Sequence, residues 1–141
     1  MAPDMRKVSP DYWPLIKQHM PKGFKLKFKK LRGGILAYAH FVREIVVEQV
    51  LDAKELFIFL HEAGHVHLRH VYEEVPENWR EEYEADQYAI KAMRAAGVPV
   101  PRECVKWHKE IVRDMIEKSK EHVDDEAVLK YAYGKEWRKH R

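Results

Sequence analysis

Leu56-Phe57-Ile58-Phe59-Leu60-His61-Glu62-Ala63-Gly64-His65 decides how this chain folds. The stretch is apolar nearly all round, and Val66 and Leu68 extend it, which marks a central, buried helix. Asp52, followed three residues later by Glu55, reads as the capped start of that helix, and its pattern runs to about His70. At about 100° per residue, His65 lies roughly 40° round from His61 and about 6 Å further along the axis. Both imidazoles therefore reach one point, as a single metal ion requires. Glu62 falls roughly 60° from His65, at the edge of the same face, where it can hold a water without taking a coordination position. His67 and His70 lie roughly 120° and 180° from His61 and aim elsewhere.

A second helix follows. Pro76 breaks the chain, Asn78 with Glu81 repeats the capping signal, and Gly97 closes the pattern. With Glu82 as the origin, Trp79, Ala85, Asp86, Ala89, Ile90, Ala92, Met93 and Ala96 fall on one broad face. Of the acids in Glu81-Glu82-Tyr83-Glu84-Ala85-Asp86, only Glu82 and Asp86 lie in that apolar stripe. Burying an acid is costly unless a positive charge meets it, and a metal held by His61 and His65 supplies one. Glu82 is then the third ligand of a zinc ion whose fourth position stays open for water. Asp86, one turn on, suits the role of accepting the spare ring N–H of a ligating histidine and fixing its tautomer.

His61-Glu62-x-x-His65 with Glu82-x-x-x-Asp86 resembles the metal motif of the gluzincin class of zinc metallopeptidases, and the short chain resembles the small members, the minigluzincins and the ImmA/IrrE-like peptidases. The ImmA/IrrE-like group often has Asn where Asp86 stands. The resemblance implies zinc held by His61, His65 and Glu82, with Glu62 as the catalytic base, and it implies that latent, zymogen-like forms occur. The metzincin pattern is absent, because Leu68 and Val71 stand where that class has Gly and a third His.

The length of 141 residues fits one domain with a genuine core, with residues 1–20 as an N-terminal segment and 121–141 as a C-terminal helical tail. Cys104 is the only cysteine, so the chain forms no internal disulfide and no cysteine-rich zinc knuckle; it reads as a structural thiol. The sequence has no Thr, and its only serines, Ser9 and Ser119, sit in no nucleophile motif. No apolar stretch in residues 1–20 resembles a signal peptide, and Leu56–Leu60 is too short to span a bilayer. The expectation is a cytoplasmic protein without a membrane partner.

Residues 10–20 form a short helix or turn. Phe24 to Lys29 alternates strictly and reads as a half-buried strand; Gly33-Gly34 turns the chain into Ile35 to His40, and Ile45 to Gln49 is a third strand. The two short connections suggest antiparallel pairing. Pro101 opens a helix to about Lys120, and Asp125 to Arg138 forms another, interrupted near Gly134. The fold class expected is α+β and zincin-like: a small, mainly antiparallel sheet packed on the histidine-bearing helix, with further C-terminal helices.

The function expected is zinc-dependent hydrolysis of a peptide or protein substrate through a metal-bound water. Tyr83, at the edge of the Glu82 face, is the favoured donor to a transition-state oxyanion, with Tyr88, His40, His108 and His122 as other candidates. An extended substrate would pair with a sheet edge, for which Ile35 to His40 is a candidate. Two alternatives belong to other classes: a catalytically silent, zinc-stabilised binding protein, and a basic nucleic-acid-associated protein using Lys25, Lys27, Lys29 and the tail from Lys135. A net charge of only +3 favours a solvated strand face over a nucleic-acid surface. The tail around Trp137 is also the candidate for self-blocking of the cleft.

Overall fold

The computed structural model describes residues 6–30, 43–69 and 78–141. Helix α1 (Trp13–His19) carries Pro14 in its first turn, where the missing N–H costs nothing. Strands β1 (Lys25–Phe28) and β2 (Glu44–Val47) follow. Then come α2 (Ala53–His67), α3 (Trp79–Ala95), α4 (Arg102–Lys118) and α5 (Glu126–Tyr133), and a 3-10 turn over Gly134–His140 ends the chain. The protein is α+β, mostly helical, with a small sheet.

The two strands pair in parallel, Lys25 beside Glu44 and Phe28 beside Val47, which corrects the antiparallel expectation for the described residues. Val8 and Val50 form an isolated bridge, also parallel. Parallel neighbours need a crossover of a dozen or more residues, and the chain between β1 and β2, residues 29–43, is long enough to provide one. The strand expected at Ile35 to His40 lies outside the described residues. On β1 Lys25 and Lys27 are exposed and Leu26 and Phe28 half-buried, the faces that the alternation of Phe24 to Lys29 requires, and on β2 Ile45 and Val47 turn into the core. Lys27 on β1 pairs with Glu44 at 2.6 Å, so that lysine already has a partner within the sheet.

The helix starts follow their caps. Asp52 accepts the Glu55 N–H at 2.8 Å, and Asn78 accepts those of Arg80 and Glu81 at 3.0 and 3.1 Å, satisfying donors that have no intrahelical partner. The far end of α2 falls short of the expected His70: Arg69 takes a left-handed φ of 61°, and its N–H returns to the Val66 carbonyl, the way many helices stop. On α3 the expected inward face is buried from Trp79 to Met93, but Ala96 is the C-cap and is exposed.

Two apolar clusters result. The larger joins α1, β2, α2 and α3, with Ile16, Ile45, Leu56, Phe57, Phe59, Leu60 and Met93 at its centre. The smaller gathers Trp79, Val112, Val123, Val128, Leu129 and Ala132, and so docks α4 and α5 on the start of α3. Trp137 packs on this second cluster and lies under Lys130 and Arg138. Among the described residues no helix is long and apolar enough to cross a membrane.

Helices α2 and α3 meet at Gly64. A Cβ there would lie 3.0 Å from Cβ and Cγ of Tyr88, tighter than most packed side chains allow. Gly64→Ala should therefore force the helices apart and destabilise the fold by about 1–3 kcal/mol. Urea unfolding reads this as a lower midpoint; an unchanged midpoint would show that the contact yields freely.

Candidate metal centre

Helices α2 and α3 bring the polar residues together inside the protein. His61, Glu62, His65, Glu82 and Asp86 are all buried, and α4 adds His108 to the same set. Their helices are anchored by the two apolar clusters, and the polar groups are almost entirely withdrawn from solvent. That position is stable only if they satisfy one another or share a cation.

Three ligand atoms converge. His61 Nε2 lies 3.1 Å from Glu82 Oε2, His65 Nε2 lies 3.2 Å from Glu82 Oε1, and the two Nε2 atoms are 3.1 Å apart. Around a tetrahedral zinc with bonds of about 2.0–2.1 Å, ligand atoms sit about 3.3–3.4 Å from one another. The triad is thus within a few tenths of an ångström of the spacing the ion demands. Two imidazole lone pairs and a carboxylate brought this close repel unless a proton or a metal lies between them. The residues present fit zinc.

Asp86 completes the arrangement on the other side of His61. Its Oδ1 is 2.7 Å from His61 Nδ1. With Nδ1–H donated there, the tautomer is fixed and Nε2 is left to face His65 and Glu82. Asp86 Oδ2 accepts from the hydroxyl of Tyr131 on α5 at 2.8 Å. His108 Nδ1 lies 3.0 Å from the same Asp86 Oδ1, a close polar contact that helps to hold the carboxylate in its ionised form. His61, Asp86 and His108 also cluster closely enough to be considered for a metal. The 2.7 Å between His61 and Asp86 is a hydrogen-bond length, however, too short for two ligands of one zinc, so this second group is better described as the support of the first.

The electrostatics agree. Burial opposes a charge on His61, yet its hydrogen bonds to Asp86 and Glu82 and the negative charge of Glu62 outweigh that and raise its pKa well above the usual imidazole value. Burial likewise opposes a charge on Asp86, but His108 and His61 hold its pKa below the ordinary carboxylate range. The pocket favours positive charge at its centre and keeps Asp86 ionised.

The other sequence candidates fall elsewhere. Tyr83 is half-buried, and its ring meets Tyr131 edge-on at 5.3 Å; its hydroxyl does not enter the hydrogen-bond network of Asp86 or of the triad. Tyr88 binds His19 Nδ1 at 2.6 Å and stacks on His67, tying α1 to α2 and α3. His67 reaches the carbonyl of His19, His122 is exposed, and His40 and His70 lie outside the described residues. Cys104 is buried, and burial pushes its thiol up to about 11, as an inert structural cysteine requires.

Sequence reasoning missed Tyr131 and underrated His108. His108 had a signal: Cys104, His108 and Val112 are the buried residues of α4, spaced four apart, so a polar side chain interrupts an apolar stripe as Glu82 and Asp86 do. Tyr131 had none, because a tyrosine beside Val128, Leu129 and Ala132 looks like ordinary packing.

Residues 42–97 match the family model Peptidase U49, a stretch that spans β2, α2 and α3 and covers less than half of the chain. It holds His61, Glu62, His65, Glu82 and Asp86 and ends before α4 and α5. The likeness is to a peptidase family and supports peptide or protein substrates. No curated protein and no solved structure matches the chain.

Proposed function

We propose that this chain, whose residues 42–97 resemble a peptidase family, is a zinc metallopeptidase of the gluzincin kind. His61, His65 and Glu82 would hold the ion, and Glu62 would be the catalytic base. The observation that carries the reading is the convergence of three buried ligand atoms from two helices at mutual distances of 3.1–3.2 Å. Zinc in such a site supplies a Lewis acid that makes water nucleophilic near neutral pH and polarises a carbonyl.

The chain's own residues do the rest. Glu62 follows His61 on α2 and is buried beside the triad, where its negative charge reaches His61. A carboxylate there takes the proton from the attacking water and passes it to the leaving amine. Asp86 holds His61 in one tautomer, so the ligand nitrogen does not need to reorganise during turnover.

Metal analysis with a broad peptide-library assay tests the reading. Purified protein should contain about one zinc per chain, lose cleavage on exposure to a strong chelator, and regain it when zinc returns. Zinc at a hundredfold excess over its dissociation constant should also raise unfolding stability by about 2.7 kcal/mol. A metal-free preparation that cleaves as well as the zinc form would end the proposal. Zinc binding without any cleavage would instead favour the silent, zinc-stabilised module.

A further inference from the structure

We propose that Tyr131 is a positioning residue of the metal centre: its hydroxyl fixes Asp86, and through Asp86 the ring of His61. The inference rests on the zinc reading of His61, His65 and Glu82 and extends it to a helix outside the peptidase-like stretch.

The side chain of Asp86 is fully buried, and its two oxygens are used differently. Oδ1 faces His61 at 2.7 Å and His108 at 3.0 Å, while Oδ2 takes the Tyr131 hydroxyl at 2.8 Å. A carboxylate held at one oxygen only can turn about its last bond; held at both, it presents Oδ1 to His61 in one orientation. The bond to Tyr131 also satisfies an oxygen that would otherwise be buried without a partner, an expensive state for a charged group. Burial and the charge of Asp86 raise the Tyr131 pKa, so the phenol remains a donor.

Tyr131 is itself held in place. It belongs to α5, whose Val128, Leu129 and Ala132 are buried in the second cluster. Its ring lies against Tyr83 and under the ammonium of Lys109. The peptidase-like stretch ends at residue 97, so the segment carrying the ligands does not carry this anchor. The competing account is that Tyr131 only packs, its hydroxyl meeting Asp86 because both are there.

Tyr131→Phe in the full chain keeps the ring and deletes one oxygen. Zinc affinity is measured by competition with a chromophoric chelator, and the ligand field by the visible absorption of the Co2+-loaded protein. Zinc should bind about tenfold more weakly, and the Co2+ bands should shift as His61 reorients. The same change in an Asp86→Ala background should cost less than twofold, because the carboxylate it acts through is gone.

An unchanged zinc affinity and an unchanged Co2+ spectrum in Tyr131→Phe would overturn the positioning role while leaving the metal site intact. So would a full tenfold loss that persists with Asp86→Ala. A wild-type chain that binds neither Zn2+ nor Co2+ would remove the zinc reading itself and this inference with it.

Discussion

Glu62→Gln should leave the protein folded and loaded with zinc while peptide hydrolysis falls roughly 10²–10⁴-fold, the usual contribution of a positioned acid–base group. Glutamine preserves the shape of a side chain that is 6% exposed on a central helix, so packing of α2 is retained. It cannot accept the proton of an attacking water at neutral pH. The three atoms proposed to bind zinc belong to other residues, and their spacing does not depend on the charge of Glu62. Losing that charge slightly disfavours a cation at His61, since Glu62 contributes to the raised pKa there. Zinc content and steady-state cleavage, measured on the same preparations, separate the two effects. Equal activity in wild type and variant would remove Glu62 from the chemistry.

Glu82→Ala should do the opposite, acting on the metal first. Glu82 is the one member of the triad supplied by α3, and each of its oxygens faces a different histidine, at 3.1 and 3.2 Å. Without it, two nitrogens one turn apart on α2 are left to hold the ion. Loss of a group that merely orients a ligand costs about 10–100-fold in affinity, so losing a ligand should exceed about 100-fold. At a zinc concentration that stabilises wild type by about 2.7 kcal/mol, the variant should show almost no zinc-dependent gain. Calorimetric unfolding with and without zinc gives the comparison directly, and a full zinc-induced gain in the variant would show that Glu82 does not bind the ion.

Local signals proved readable where the physics is local. Asp52 and Asn78 announce their helices because a cap bonds within three residues of itself. Helical spacing put His61 with His65, and Glu82 with Asp86, on the faces where the structure has them. The end of α2 was overestimated because the pattern of apolar residues continues past the point where Arg69 turns left-handed. Strand direction was misjudged: alternation along Lys25–Phe28 is the same whichever way the partner runs, so the antiparallel expectation rested on connection length alone, and the pairing is parallel. Tyr131 was invisible for a related reason. Its partner is Asp86, 45 positions earlier in the chain, and nothing in a single sequence ties a tyrosine on the last α-helix to an aspartate on an earlier one.

That separation of 45 residues between Asp86 and Tyr131 has a temporal meaning. Translation at 5–20 residues per second puts about 2–9 s between the emergence of the two. During that interval the nascent chain already displays both histidines and Glu82, but the carboxylate behind His61 lacks its phenol. The support of the proposed zinc site is therefore assembled in two instalments, and the Asp86 carboxylate gains its second partner only once α5 has been made.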